Sequence, residues 1–365
     1  ISYSDSKNVG GRLQVNRRLS DNGRNLTLTA DANYKEGQSN NLSNSNVHLY
    51  QIKDALGNDS TYQTNRYSVT PTKNWDYSAG LTYSEPIFKA TYLQFRYNFQ
   101  YKYQKSDRVT YDFSNLGEDY FSGLSPEYRQ WGGYLDRLTN PLESYLDDDL
   151  SRYSEYKNYI HTFDLMLRIV RNDYNFNVGM QVIPQQTKFV QHYQGVNTDT
   201  VRNVTNITPT ADFRWKISKQ SQLRFNYRGR SSQPSMTDLL DIVDDSDPLR
   251  ITRGNPGLKP SFSNNLMLFY NNYIQKHQRS VMANVFFNTT SNSVSQMVTY
   301  DPTTGGQTSR PENINGNWNI NSGFMFNTAL DSLGLFYVNT MTDFGYSHNV
   351  SYLNLNRSET AQKNS

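Results

Sequence analysis

Apolar and polar residues alternate in two neighbouring segments between Trp75 and Gln104. A period of two predicts β-strand, because successive side chains on a strand point to opposite faces. One face of this predicted hairpin is apolar along both segments: Trp75, Tyr77, Ala79, Leu81, Tyr83, Leu93, Phe95, Tyr97, Phe99, Tyr101 and Tyr103. The opposite face of the second segment carries amides and two cations, Arg96 and Lys102. One face therefore meets an apolar environment and the other meets water, which either a soluble sandwich or a membrane barrel explains.

The same alternation recurs along the chain and predicts twelve strands: 13–19, 26–34, 75–84, 93–104, 159–169, 174–182, 207–217, 223–227, 262–274, 279–300, 318–326 and 335–352. Six tight turns alternate with five longer connections, at about 35–74, 106–156, 191–199, 231–261 and 301–310, the second with a short helix near 141–153. Outer-membrane barrels have short periplasmic turns at one end and long extracellular loops at the other. The chain is therefore predicted to be all-β, an antiparallel transmembrane β-barrel. A large soluble β-protein is the alternative.

Composition favours the barrel. Only 35% of the 365 residues are hydrophobic, yet 14% are aromatic, including 28 tyrosines. A soluble chain this polar is short of core, and a disordered chain is poor in aromatic residues. A wide membrane barrel reconciles the two facts, because its bore is polar and aromatic residues ring its interfaces. The sequence has no cysteine, no apolar run long enough for a transmembrane helix, and a net charge of +3 that indicates no nucleic-acid partner.

A motif follows the predicted strand that ends near Tyr227. The segment Gln233-Pro234-Ser235 leads into a signature formed by Gly254, Asn255, Pro256, Leu258, Lys259 and Pro260. This pattern resembles TonB-dependent receptors of the Bacteroidota, in the outer-membrane β-barrel family with a carboxypeptidase-regulatory-like domain. The hairpin at 17–24 is similar to that family as well, whereas Ser261 stands where the family often has an acidic residue. Proline lacks a ladder donor and glycine favours turns, so the signature is predicted to be structural, a stiff return into the barrel wall.

The resemblance implies a barrel of about 22 strands, plugged by an N-terminal domain and located in the outer membrane. It implies import of a scarce nutrient with energy from the TonB complex, which acts through a plug that this sequence does not show. Residues 1–365 are then one partial barrel domain without the plug and some strands. Membrane lipid and a surface lipoprotein or other envelope protein are the remaining expected partners, and no cofactor is expected apart from calcium in the loops.

Two sets of loop residues are candidates for binding. Tyr120, Tyr128, Trp131 and Tyr134 would stack against a sugar or aromatic ligand, or simply pack their loop against the rim of the barrel. Clustered carboxylates at Asp147, Asp148, Asp149, Asp244 and Asp245 are candidate calcium ligands, since calcium takes six to eight oxygens. Solvation of these acids is the simpler interpretation. Cations predicted to face the bore, such as Arg96, Lys102 and Arg224, would attract an anion or pair with carboxylates.

Catalysis is not indicated, because the five histidines are scattered and none has a serine or acid at a recognisable catalytic spacing. Three functions follow. The first is an uptake receptor whose outer loops capture a nutrient. The second is a passive, porin-like channel closed by twelve strands, and the third is a barrel that serves as a scaffold for a surface complex without transporting.

Overall fold

The computed structural model describes residues 2–117, 120, 135–240, 243–244 and 249–364. Within them the strands, numbered in chain order, are β1 (Ser2–Arg18), β2 (Asn25–Lys53), β3 (Asp59–Phe88), β4 (Thr91–Asp112), β5 (Arg152–Val170), β6 (Tyr174–Tyr193), β7 (Val196–Lys216), β8 (Ser221–Ser232), β9 (Val243–Asp244), β10 (Arg250–Arg253), β11 (Ser261–Ile274), β12 (Arg279–Ser291), β13 (Ser293–Tyr300), β14 (Gln307–Ile314), β15 (Asn317–Ala329), β16 (Tyr337–Leu353) and β17 (Asn356–Asn364). One helical turn, α1, spans Met236–Leu239, and 3-10 turns lie at Ser114–Leu116, Leu142–Tyr145 and Gln275–His277. No helix among the described residues is long and apolar enough to cross a membrane.

Thirteen of the strands form one antiparallel sheet in the order β1 to β8, β11, β12, β15, β16 and β17. The other four form a small sheet in the order β13, β14, β10 and β9, in which β10 pairs with β14 in parallel. The predicted all-β antiparallel architecture is therefore confirmed. Tight turns join the strands at one end of the main sheet, as at Lys89 and Ala90 between β3 and β4.

Two predicted connections are wrong, and the main sheet has one strand more than the twelve predicted. The region 35–74 belongs to β2 and β3, which stay paired from Glu36↔Lys73 to Leu49↔Ser60. The region 191–199 is a hairpin that turns at Gln194 and Gly195, both with positive φ. The polar end of the chain forms β17, a thirteenth strand of the main sheet. Polar residues predominate in all three stretches, so no continuous apolar face marks them, although backbone pairing requires none.

The predicted strand through 279–300 is also divided. β12 ends at Ser291, and Asn292 has a φ of +51°. β13 then leaves the main sheet and pairs with β14 in the small sheet. The predicted helix near 141–153 is limited to the 3-10 turn at Leu142–Tyr145.

The alternating positions of separate strands come together as one band. Cross-strand partners run in register through Val15, Leu28, Leu81, Tyr97, Phe163, Val182 and Ile207, which we call the apolar band. Its face of the main sheet is the outward face, and the opposite face is the inward face. Band side chains remain exposed, since Phe163 is 43% and Ile207 43% accessible. A continuous exposed apolar surface of this kind marks contact with a membrane or partner rather than with water.

An aromatic row borders the band on the side away from the tight turns. Tyr34 pairs with Trp75, and Trp75 pairs with Tyr103, with ring centres 6.2 and 5.0 Å apart. Two residues further along the same strands the outward face becomes charged, at Glu36, Lys73 and Lys105 in register. This order of apolar band, aromatic row and charges is the cross-section expected of a membrane interface.

Candidate ligand-binding site

A cavity of about 380 Å³, the mouth cavity, lies on the inward face beyond the aromatic row. The wall strands β5 and β6 supply Arg152, Gln191 and Tyr193 to its lining. The small sheet and α1 form the opposite side, with Asp238, Arg253, Gln296 and Ser309 among the lining residues. The segments between β8 and β15 therefore fold back onto the inner wall and enclose space at the loop end of the sheet.

The wall side of the cavity is held by an arginine and a glutamine. Arg152 donates from Nε and Nη2 to Oε1 of Gln191, at 3.2 and 2.9 Å, and its guanidinium lies 5.3 Å from the ring centre of Tyr193. Gln191 is only 1% exposed. Because Arg152 can only donate, the amide oxygen must face it, which fixes the orientation of the glutamine side chain. Nε2 of Gln191 then has no acceptor within the part of the chain that the structure describes.

A buried donor without an acceptor destabilises the folded protein, because it has lost its hydrogen bonds to water and has formed none in their place. A ligand oxygen in the cavity that accepts a hydrogen bond from Gln191 Nε2 would remove this destabilisation. Among the described residues that line the cavity, Arg152 and Arg253 supply guanidinium groups and Asp238 supplies a carboxylate, whose Oδ2 accepts from Ser235 Oγ at 2.7 Å. The lining therefore suits a solute that is rich in acceptor oxygens.

The cover of the cavity depends on the signature motif. A Cβ on Gly254 would lie 1.7 Å from the carbonyl oxygen of Leu240, so only glycine permits this approach. The next residue, Asn255, donates from its backbone N–H to Asp238 O at 2.5 Å and from Nδ2 to Pro311 O at 2.9 Å. Its Oδ1 accepts from Gly257 N and from Arg310 Nη2. Asn255 is 5% exposed and ties the loop to both α1 and β14.

The remaining residues of the motif also attach the loop to β14. Leu258 is buried, and Lys259 exchanges hydrogen bonds with Asn313 on β14, from Lys259 N to Oδ1 at 2.6 Å and from Nδ2 to Lys259 O at 3.0 Å. Pro256 and Pro260 are exposed beside them. These contacts attach the loop to β14 and α1, while Gly254 also lines the mouth cavity. The structural role of the motif stays a prediction.

The turn between β13 and β14 is fixed by Asp301. Its carboxylate accepts from Thr303 N at 2.8 Å and Thr304 Oγ1 at 3.0 Å. The hydrogen bond from the backbone of Thr303, with further bonds from Thr304, holds the pKa of Asp301 below its ordinary value. The hairpin that covers the cavity therefore keeps an ionised aspartate at its tip at neutral pH.

The aromatic candidates lie elsewhere or outside the described residues. Tyr120 packs against a cluster of Leu42, Tyr67 and Phe113 and donates to Arg137 O at 2.6 Å. Leu42 and Tyr67 have the strand parity of Tyr34 and Trp75, so this cluster is on the outward face, opposite the mouth cavity. Tyr128, Trp131 and Tyr134 lie outside the described residues. Ligand contact by these four aromatic residues stays a prediction.

The calcium candidates that the structure describes are not assembled into a site. Asp147 Oδ1 accepts from Leu150 N at 3.0 Å, while Asp148 and Asp149 follow it in the same turn. Asp244 lies in β9, and Asp245 is outside the described residues. Among the described residues, no group of three or more histidine, aspartate or glutamate side chains could hold a metal ion. Calcium binding stays a prediction.

Cations on the inward face of the wall are paired within the sheet. Arg96 lies 3.3 Å from Asp164, Lys102 lies 3.9 Å from Asp76, and Arg224 lies 3.1 Å from Asp212. Each pair joins neighbouring strands. Their charge is therefore largely balanced below the mouth cavity.

Comparison with known proteins gives a family and a fold. Residues 135–365 match the model of the outer membrane protein beta-barrel family. No curated protein matches the chain. Among solved structures, the siderophore receptor PiuA of Acinetobacter baumannii aligns with a TM-score of 0.50 at 12% identity, covering 98% of this chain and 50% of that one.

Two further receptors align less closely. The ferric-catecholate import receptor Fiu of E. coli K12 gives a TM-score of 0.48 at 12% identity, covering 95% of this chain and 48% of that chain. The alcaligin outer membrane receptor FauA of Bordetella pertussis gives 0.40 at 12% identity, covering 98% and 54%. This chain spans about half the length of these structures.

Proposed function

This chain belongs to the outer membrane protein beta-barrel family and so lies in the outer membrane. We propose that it forms the barrel wall and the outer opening of an uptake receptor. In this proposal the protein captures a scarce nutrient at the cell surface and passes it through its bore. The observation that carries the proposal is the mouth cavity, enclosed on the inward face by segments that fold back onto the wall.

The chemistry of capture rests on the residues of the cavity. Gln191 Nε2 and the guanidinium group of Arg152 meet acceptor oxygens of the nutrient. The ion pairs along the inward wall give a polar surface of balanced charge past which a hydrated solute moves. Movement through the bore draws on energy from the TonB complex, delivered through a plug domain. We include a surface lipoprotein or other envelope protein as a further partner, and we assign no enzymatic reaction.

The test compares energised uptake with passive leakage. The parent protein is expressed in an outer-membrane uptake assay with and without a functional TonB complex, and small molecules that co-purify with it are identified by mass spectrometry. A receptor retains an oxygen-rich solute and imports it only when TonB is functional. Uptake independent of TonB, with a steady open conductance in planar bilayers, would support the porin-like channel. A tightly held protein partner without any uptake would support the scaffold.

A further inference from the structure

Lysines face one another on the outward surface at two places. Lys73 on β3 is the direct cross-strand partner of Lys105 on β4, and Lys157 on β5 is the direct partner of Lys188 on β6. Like charges directly opposite each other destabilise a sheet. Across β4 and β5 the two pairs are diagonal neighbours, since Lys105 is opposite Glu155 and Lys157 is opposite Tyr103. We call the four lysines the lysine cluster. We propose that this cluster binds the phosphate of an anionic lipid in the outer leaflet of the membrane.

The cluster lies at the level where lipid headgroups are expected. Lys73 and Lys105 are two residues beyond Trp75 and Tyr103 of the aromatic row, and Lys157 is the cross-strand partner of Tyr103. Aromatic rows of membrane barrels lie at the interface between acyl chains and headgroups. The cluster is on the side away from the tight turns, which in an outer-membrane barrel is the cell-surface side.

Acidic neighbours offset only part of the charge. Glu155 lies 3.0 Å from Lys157 Nζ and also accepts from the hydroxyl of Tyr103 at 3.0 Å. Lys188 Nζ lies 5.6 Å from the ring centre of Tyr159, a contact that leaves its charge in place. Glu36 is the cross-strand partner of Lys73, and Asp107 follows two residues after Lys105. Lys73 and Lys188 are exposed at the two ends of the cluster.

A groove on the outward face begins directly beside the cluster. It has a volume of about 560 Å³ and is lined by residues that include Tyr159, His161, Pro184 and Gln186. Pro184 has no N–H, and the β5–β6 ladder is interrupted between Ile160↔Gln185 and Phe163↔Val182. Phe163 of the apolar band is the next outward-facing residue after His161, which lines the groove. A lipid can therefore place its phosphate on the lysines, its polar linker in the groove and its acyl chains on the band.

Lipid binding is tested on the parent protein purified from outer membranes. The double variant Lys157→Gln/Lys188→Gln is compared with Lys89→Gln/Lys219→Gln, which makes the same charge change in exposed tight turns at the other end of the strands. Binding is measured by native mass spectrometry in nanodiscs of phosphatidylcholine doped with lipid A. We expect the affinity for lipid A to fall about tenfold or more in the first variant, since each lysine near a membrane surface contributes about 1 kcal/mol toward anionic lipid. The control should retain wild-type affinity.

Folding and ligand source are controlled separately. Heat-modifiable gel migration reports whether each barrel is folded, and Lys157→Arg/Lys188→Arg keeps the charge and should keep the lipid. Equal lipid A retention by the glutamine variant and the turn control would overturn the proposal. So would displacement of lipid A by millimolar inorganic phosphate, which would indicate a simple anion site. None of these readouts depends on nutrient uptake, so the result is independent of the proposed receptor function.

Discussion

At the scale of single residues, the cover of the mouth cavity depends on Gly254. Replacing Gly254 with alanine should detach the loop from α1, because the new Cβ would meet the carbonyl oxygen of Leu240 at 1.7 Å. We expect faster proteolytic cleavage within 231–261 while the wall stays folded. Gly11→Ala is the matched control, since a Cβ there has no neighbour within 4 Å. Equal cleavage in the two variants would contradict a structural role for the motif.

Gln191 gives a second prediction at this scale. Gln191→Leu removes both the acceptor of Arg152 and the free Nε2 donor, leaving a half-buried guanidinium without its hydrogen-bond acceptor. We expect a loss of about 1 to 3 kcal/mol in local stability together with weaker solute retention. Gln191→Glu restores an acceptor for Arg152 but not the donor, so it should recover stability without recovering retention. Thermal unfolding and co-purification of the solute measure the two effects, with Gln51→Leu at an exposed position as control.

The motif residues of the site were accessible from sequence, and the wall residues were not. Glycines and prolines in Gly254 to Pro260 predict a rigid turn from their own backbone chemistry. Arg152 and Gln191 belong to strand extensions without a continuous apolar face, so the sequence pattern predicts connections there. Their importance comes from the folded-back small sheet, which is a tertiary arrangement without a local signal.

At the scale of elements, the β2–β3 hairpin ends in a turn organised by Asp54. Its Oδ1 accepts from Leu56 N at 2.8 Å and Asn58 N at 2.9 Å. The backbone hydrogen bond from Asn58 is the main cause that lowers the pKa of Asp54. The turn is therefore stabilised above the ordinary aspartate pKa of about 3.9, and this stabilisation is lost as the pH falls through the lower folded-state value.

The measurement is amide hydrogen exchange at the hairpin tip across this acidic range. Exchange protection of the Asn58 amide should decline below about pH 4 relative to amides in the middle of β3. Asp54→Asn removes the titrating group and should leave protection independent of pH in that range. A wild-type tip with constant relative protection would show that the carboxylate does not stabilise the turn.

At the scale of the whole molecule, the outward band should behave as a lipid-facing surface. Phe163→Lys is expected to destabilise the folded barrel in lipid by about 2 to 4 kcal/mol, the cost of a cation near the bilayer midplane. Thr162→Lys places the same charge on the inward face of the same strand and should cost much less. Urea unfolding in phosphatidylcholine vesicles measures both. Similar costs for the two substitutions would mean that the band does not face lipid.

The overall architecture followed from alternation wherever one face was apolar. That rule located twelve strands and the tight turns, including the turns at 275–278 and 331–334. It did not separate β13 from β12, and it did not predict β9, β10 or β14, which are very short or predominantly polar. Membrane contact creates the periodic signal, and the parts of the protein that meet water on both sides lose it.

The length of the β2–β3 hairpin has a consequence for what the cell presents to its surroundings. From Tyr34 to Lys53 the strand continues for roughly 60 Å at about 3.3 Å per residue. Antibodies and bacteriophages approaching the bacterium would reach the tip at 54–58 before the mouth of the barrel. A short epitope tag inserted in this turn would be displayed on living cells without contacting the barrel wall. The turn is therefore a suitable site for surface labelling.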